Sequence, residues 1–269
     1  MGHYYAQDGT PAYFTNGKDT TLREARKLGL VPSTTEVLAI IAKPQLVRWQ
    51  VNQGILAALT LPRQEGWTEE KYLVAIAEDG KRQAQEAADR GSYIHDQLER
   101  DRKGQSVDAW CKPTCERVRE LLSESFPGVD DWVEEKPFAH TSGYGGRVDL
   151  HSPSTGIICD YKGKDGVMTQ DAKHAYWQTE AEPEPKRCDY DQFWQLASYQ
   201  QGLGFEVAQG ANIFFSRTDA GQAAIKVWTP KEMQQGRDTF NAALALWKIL
   251  HKYDGSFEKR NAVSGLEDA

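Results

Sequence analysis

The sequence predicts an α/β protein: a central mixed β-sheet of about five strands flanked by helices, with an N-terminal helical section. Three observations carry this. Two apolar runs, 145–150 and 157–162, are joined by Ser152-Pro153-Ser154-Thr155-Gly156, which is turn chemistry. The second run is apolar on both faces up to Asp160, the pattern of a central strand. Helical periodicity fills most of 31–122 and returns at 190–204 and after 230, which supplies the layers a sheet needs on its faces.

The elements follow in order. Residues 1–30 are polar and aromatic, broken by Gly9, Pro11 and Gly17, with a short helix expected from Thr20 to Leu28. Tyr4, Tyr5, Tyr13 and Phe14 either pin this arm to the core or stack on bases. Pro32-Ser33-Thr34-Thr35-Glu36 reads as a helix start, with a hydroxyl cap and an acid in the first turn. Val37, Leu38, Ile41 and Ala42 would form its apolar face. Lys43-Pro44 restarts a second helix, with Leu46, Val47 and Trp49 expected to face inward. A long helical region runs from Thr68 to about Arg102, with Gly80 a candidate break. A further helix is expected over 113–122, and Phe126-Pro127-Gly128 turns the chain.

The sheet then begins. Residues 131–139 read as its first strand, and 145–150 and 157–162 follow as a meander. Gly163-Lys164-Asp165-Gly166 reads as a turn. Residues 165–190 resist assignment, with Pro183 and Pro185 excluding regular structure over 181–186; a flap near a site and a plain surface insertion are both open. A helix over 190–204 stops at glycine. Residues 209–217 and 224–229 form an antiparallel hairpin about Gly221, and Pro230 starts the last helix. The reading is one unit over 1–269: a mainly helical part, 1–130, a sheet core, 131–252, and a polar tail, 253–269, frayed from about Gly255.

Composition bounds the function. The 269 residues carry 26% charged and 39% hydrophobic side chains, ordinary for a globular chain. No apolar run approaches the ~20 residues that span a bilayer, and the N-terminus lacks a basic-then-apolar signal, so a cytoplasmic protein without membrane contact is expected. A net charge of -7 excludes broad coating of nucleic acid, while leaving room for an enzyme with cations local to a groove. Cys111, Cys115, Cys159 and Cys188 lack the partners of a zinc site and read as free buried thiols.

One constellation has chemical use. Asp160 and Lys162 are two apart on a strand and share a face, and Asp149 on the neighbouring strand reaches the same place. Two carboxylates without a thiolate suit a hard cation such as Mg²⁺ or Mn²⁺, which polarises a phosphoryl oxygen and acidifies a bound water. Lys162 could orient that water or stabilise phosphate charge. The alternative is a surface hairpin with an Asp–Lys ion pair. Gly91, His95 and Glu99 are spaced by four on one helical face; His95 is a metal ligand or a hydrogen-bonded structural histidine. Gln195 and Tyr199 share a face one turn apart and bind phosphate, or else pack and face water.

Taken together, these pieces resemble the PD-(D/E)XK nuclease superfamily, in its RecB-like, phage-type exonuclease branch. The residues that carry the resemblance are Gly91-Ser92-Tyr93-Ile94-His95, Leu98-Glu99, Glu135, Gly146-Arg147-Val148-Asp149, Asp160-Tyr161-Lys162 and Gln195-Leu196-Ala197-Ser198-Tyr199, over roughly 31–230. The resemblance implies a restriction-endonuclease-like core and metal-assisted hydrolysis of phosphodiesters. It implies Asp149, Asp160, His95 and the backbone carbonyl of Tyr161 as ligands of Mg²⁺ or Mn²⁺, and Lys162 as the catalytic lysine. Gln195 and Tyr199 would position DNA, and Glu99 and Glu135 would support the site. Asp160 stands where Glu is commoner. No late cysteine triplet follows Cys188, so no iron–sulfur cluster is expected. The resemblance further implies single-stranded DNA or free ends as substrate, in phage or bacterial replication, repair or recombination; helicase motifs are lacking, so any unwinding would come from a partner, or the ends are already single-stranded. A helicase, recombinase or single-strand-binding protein is a candidate partner. A structure-selective endonuclease of the same superfamily and a non-catalytic DNA-binding module are the alternatives.

Overall fold

A computed structural model describes residues 3–42 and 44–258, with Val47 the only described side chain between 44 and 50. The expectations for Lys43, Leu46, Trp49 and 259–269 lie outside the described residues.

The N-terminal segment is more structured than a loose arm. Tyr4–Tyr5 (β1) is buried, and Phe14–Thr15 (β2) and Lys18–Asp19 (β3) form a two-residue hairpin. Its turn is Asn16-Gly17, both left-handed at φ 53 and 75, the pair of conformations that matches strand twist. Leu22–Leu28 (α1) starts with a capping box between Thr21 and Glu24. Val31–Pro32 (β4) pairs antiparallel with β1. Thr34–Leu38 (α2) is capped by Ser33, as its sequence predicts. Pro44–Thr60 (α3), Glu69–Arg102 (α4) and Lys112–Ser125 (α5) follow.

Val133–His140 (β5), Tyr144–His151 (β6) and Ile158–Lys164 (β7) form the meander. Val167–Gln170 (β8), Ala175–Gln178 (β9) and Lys186–Arg187 (β10) make a separate three-stranded antiparallel sheet. Phe193–Gly202 (α6), Gly210–Ser216 (β11), Ala223–Trp228 (β12) and Pro230–His251 (α7) complete the chain. The five-stranded sheet runs β12-β11-β7-β6-β5, mixed because β11 lies parallel to β7. The expected α/β class and central sheet are therefore present.

Two apolar layers sandwich the sheet. Ile94 and Leu98 of α4 and Val118, Leu121 and Leu122 of α5 pack on Leu150, Cys159 and Ile213. On the other face Val37, Leu196, Ala197, Phe240 and Trp247 from α2, α6 and α7 pack on Val148 and Ile158. All four cysteines are free and buried.

Five local expectations are corrected. Gly163 and Lys164 continue β7 in register with Phe215 and Ser216, so the turn comes only at Asp165-Gly166. Residues 165–190 are not without regular structure: they form β8–β10, with β10 beginning at Lys186 inside the stretch expected to be irregular, and Met168, Ala175 and Cys188 pack on Phe214 and Ala224. Helix α4 passes through Gly80 unbroken, because one glycine costs only about 1 kcal/mol against 34 residues of helix. Val47 faces solvent rather than the core. The described tail is also tied down: Tyr253 donates to the Leu30 carbonyl at 2.6 Å, and Phe257 N–H to the Thr141 carbonyl at 3.0 Å.

Candidate active site

The site forms where the sheet opens. Strands β6 and β7 are paired at Leu150–Cys159 and His151–Ile158. Beyond that, the Tyr161 N–H donates to Asp149 Oδ2 at 2.8 Å. A side chain thus takes the bond a ladder carbonyl would accept, and the buried N–H stays satisfied. Side-chain alternation slips across the same point, since Val148 faces the α6–α7 layer and Leu150 the α4–α5 layer. Asp149 therefore lies edgewise in the split.

Helix α4 crosses above it and delivers His95. Its Nε2 is 3.1 Å from Asp149 Oδ2 and its Nδ1 3.4 Å from Glu135 Oε1, and its ring stands edge-on to Tyr161 at 5.2 Å. Glu135 reaches the same place through a left-handed backbone at φ 50, a conformation costly for a residue with a Cβ. Among the described residues, His95, Glu135 and Asp149 form a group whose ligand atoms lie within 4.8 Å of one another. Both Glu135 carboxylate oxygens are buried and accept no well-formed hydrogen bond, although Arg147 Nε lies 2.6 Å from Oε2. A buried carboxylate left so poorly satisfied fits a bound cation. One imidazole nitrogen with carboxylate oxygens suits Mg²⁺ or Mn²⁺.

Asp160 is held apart from that group. Its carboxylate faces Lys162 Nζ at 2.6 Å and accepts from Asn212 Nδ2 at 3.0 Å. Asn212 in turn accepts from Trp228 Nε1 at 2.8 Å, so a chain of buried bonds fixes the orientation of Asp160. The cross-strand register puts Asn212 directly beside Asp160.

The titrations follow from this geometry. Burial raises the Asp149 carboxyl, but the His95 bond and charge, the Lys162 charge and the Tyr161 N–H outweigh it and hold it below the usual range. Burial, with the Asp149 charge, pushes Asp160 up to about 6 against the opposing pull of Lys162. Burial lifts Glu135 as well. For His95 burial acts downward, but Asp149, Glu135 and Asp160 prevail and raise it. Burial likewise acts to lower Lys162, and Asp160 and Asp149 overcome it, so the ammonium is held charged.

An open cleft of ≈ 550 Å³ exposes His95, Glu135, Asp149 and Tyr161, with Glu99, Arg147 and Arg217 on its walls. A second cavity of ≈ 270 Å³ shares Arg147 and Asp149 and is lined by Tyr5, Tyr13, Ser33, Thr35 and Tyr199. The sequence-derived residues thus fall into three places. His95, Asp149 and Glu135 come together. Asp160 and Lys162 pair beside them. Gln195 donates to the Tyr199 hydroxyl at 2.5 Å, and Tyr199, only 6% exposed, borders the second cavity. Glu99 lines the cleft but is paired with Lys103. Gly146 permits this crowding, because a Cβ there would lie 2.8 Å from Tyr199 and 2.9 Å from Phe138.

Three residues with a part in the site were assigned no role from sequence. Asn212 left a signal, a lone amide in an otherwise apolar strand. Arg147 left only its place beside Asp149. Arg217 left none.

No family model matches the sequence, and no curated protein does. Among solved structures the chain is similar to a phage related exonuclease from Haemophilus somnus 129PT, at 12% identity over 60% of this chain and 82% of that one, with a TM-score of 0.30.

Proposed function

We propose that this protein is a divalent-metal-dependent DNA nuclease that acts as an exonuclease on single strands or free ends. The observation that carries the reading is one cleft in which His95, Asp149 and the unsatisfied carboxylate of Glu135 converge beside a charged Lys162. The ordered set of motifs that resembles the RecB-like branch supports the same chemistry, and the preference for ends rests on that resemblance.

His95, Glu135 and Asp149 would hold the ion, with Asp160 next to them. When bound, Mg²⁺ or Mn²⁺ supplies a Lewis acid for the scissile phosphate and lowers the pKa of water. The protein's own residues do the rest. The Lys162 ammonium, kept charged by Asp160, is a donor to developing phosphate charge and not a base. Asn212 and Trp228 keep Asp160, and through it Lys162, in one orientation. Arg147 has a half-exposed guanidinium at the junction of both cavities, placed to receive a phosphate. Tyr199, oriented by Gln195, offers a hydroxyl on the far side of Asp149.

Digestion of end-labelled linear single-stranded DNA in Mn²⁺, beside closed circular single strands and an Asp160→Ala variant, tests this. Loss of the linear substrate alone, absent in the variant, is expected. Cleavage of circles would make the protein an endonuclease, and binding without cleavage a DNA-binding module.

A further inference from the structure

The helical arm formed by α3 and the first half of α4 has an apolar surface that the other described residues leave open. Val47, Val51, Ile55 and Leu59 recur every fourth residue along α3, and each is between 53% and 77% exposed. Leu56 lies on another side of the same helix and is 51% exposed. The packing of α3 is mainly against α4, where Ala57 is fully buried and the Tyr72 hydroxyl donates to the carbonyls of Ala58 and Leu61. Beside that contact Leu73 and Val74 of α4 are again more than half exposed. No residue from Glu69 to Tyr93 is buried. A helix apolar on several sides ordinarily belongs in an interior, and the described side chains of this one are covered mainly where it meets α4.

We infer that this arm is a self-association surface, on which the α3 faces of two copies of this chain pack against each other across a two-fold axis. Two features of the arm select a second copy as the occupant. The first is charge. Arg48 is the only charged residue in the seventeen of α3, so two copies of the face meet without like-charge repulsion, whereas a nucleic-acid surface needs several cations. The second is area. The four side chains of the α3 stripe expose on the order of 400 Å² of apolar surface, within the range of the largest patch on a monomer and about half of the roughly 800 Å² each partner buries in a standard interface. Two such helix pairs joined through α3 make a four-helix assembly, a self-complementary arrangement a two-fold permits. The proposal does not depend on the nuclease reading.

The test is the solution mass of the full chain, by light scattering and sedimentation over about 1–100 µM, for the wild type and for Ile55→Glu with Leu59→Glu. Both positions face water in the single chain, so the double variant is expected to keep its far-ultraviolet circular dichroism. The expected result is twice the single-chain mass for the wild type and the single-chain mass for the variant. A wild type that is monomeric throughout overturns the proposal, as does a dimer that survives both substitutions. Should the variant misfold, hydrogen exchange of the wild type decides: slower exchange over 44–60 at high concentration supports the interface, and unchanged exchange overturns it. Protection of 44–60 by DNA in a monomeric wild type would assign the arm to the substrate instead, and so also overturn it.

Discussion

Glu135 and Asp160 are both carboxylates taken out of water, and they are compensated differently. Asp160 has Lys162 and Asn212 at hydrogen-bond distance, whereas Glu135 has His95 and Arg147 beside it without a well-formed bond. Without a metal, His95 serves as the counter-charge, and its raised pKa expresses that. The sign follows directly. Stabilisation from protonated His95 is fully present below its unfolded value of about 6.5 and is lost as pH rises through the higher folded value. A divalent ion must displace the same proton, so Mn²⁺ affinity should rise up to about tenfold per pH unit below the folded pKa and level off above it. Calorimetric titration at several pH values, in buffers of differing ionisation enthalpy, reads both the slope and the released proton. The pairing of Asp160 with Lys162 was legible in sequence because strand period puts residues two apart on one face, whereas Asp149 reaches the cleft through a slip of that period at the split between β6 and β7. Glu135 entered only through the resemblance, since its approach depends on a left-handed φ that no neighbouring residue announces. Asn212 could be marked as unusual, but its partner was set by the parallel pairing of β11 with β7, a tertiary fact.

Helix α4 is the element on which the site depends, since it alone brings His95 to the sheet. Arg217 fastens it there. Its guanidinium makes two parallel bonds of 2.9 Å to Asp165 and donates to the Ala87 carbonyl at 3.1 Å, eight residues before His95. Gly163 leaves the room, because a Cβ there would lie 3.0 Å from the Arg217 side chain. Arg217→Ala should therefore weaken Mn²⁺ binding several-fold by loosening His95, with the thermal midpoint lowered by a few degrees. Unchanged binding would show that α4 is held without the clamp. At this scale the sequence disclosed the long helices, the meander and the hairpin, whose periodicities extend over many residues. It did not disclose β8–β10, strands of two to four residues in which period-two alternation has no length to show itself.

Over the whole molecule the charge is -7, yet the substrate proposed is a polyanion. Attraction must then come from a few cations in the cleft. Arg217, Arg147 and Lys162 are each paired with a carboxylate, but the Arg217 side chain is only 18% exposed against 53% and 33% for the other two, so Arg147 and Lys162 are the cations proposed to meet the substrate. With about two phosphates neutralised, log affinity for single-stranded DNA should fall against log salt with a slope of about −1 to −2. Fluorescence anisotropy between low and moderate salt, in Ca²⁺ to suppress cleavage, measures it. A slope steeper than about −4 would reveal a basic track that the cleft does not display. The α/β class and the sheet order within the meander were readable along the chain. The placing of α4 across the opening between β6 and β7 depends on packing between distant segments, and no local pattern encodes it.

The account rests on His95, Glu135 and Asp149 holding one divalent ion, and calorimetric titration of Mn²⁺ into wild type and Glu135→Gln tests that most directly. One ion per chain in the wild type, with at least about tenfold weaker binding in the variant, is the result the geometry predicts. Equal affinity in the two proteins would place the ion elsewhere and contradict it.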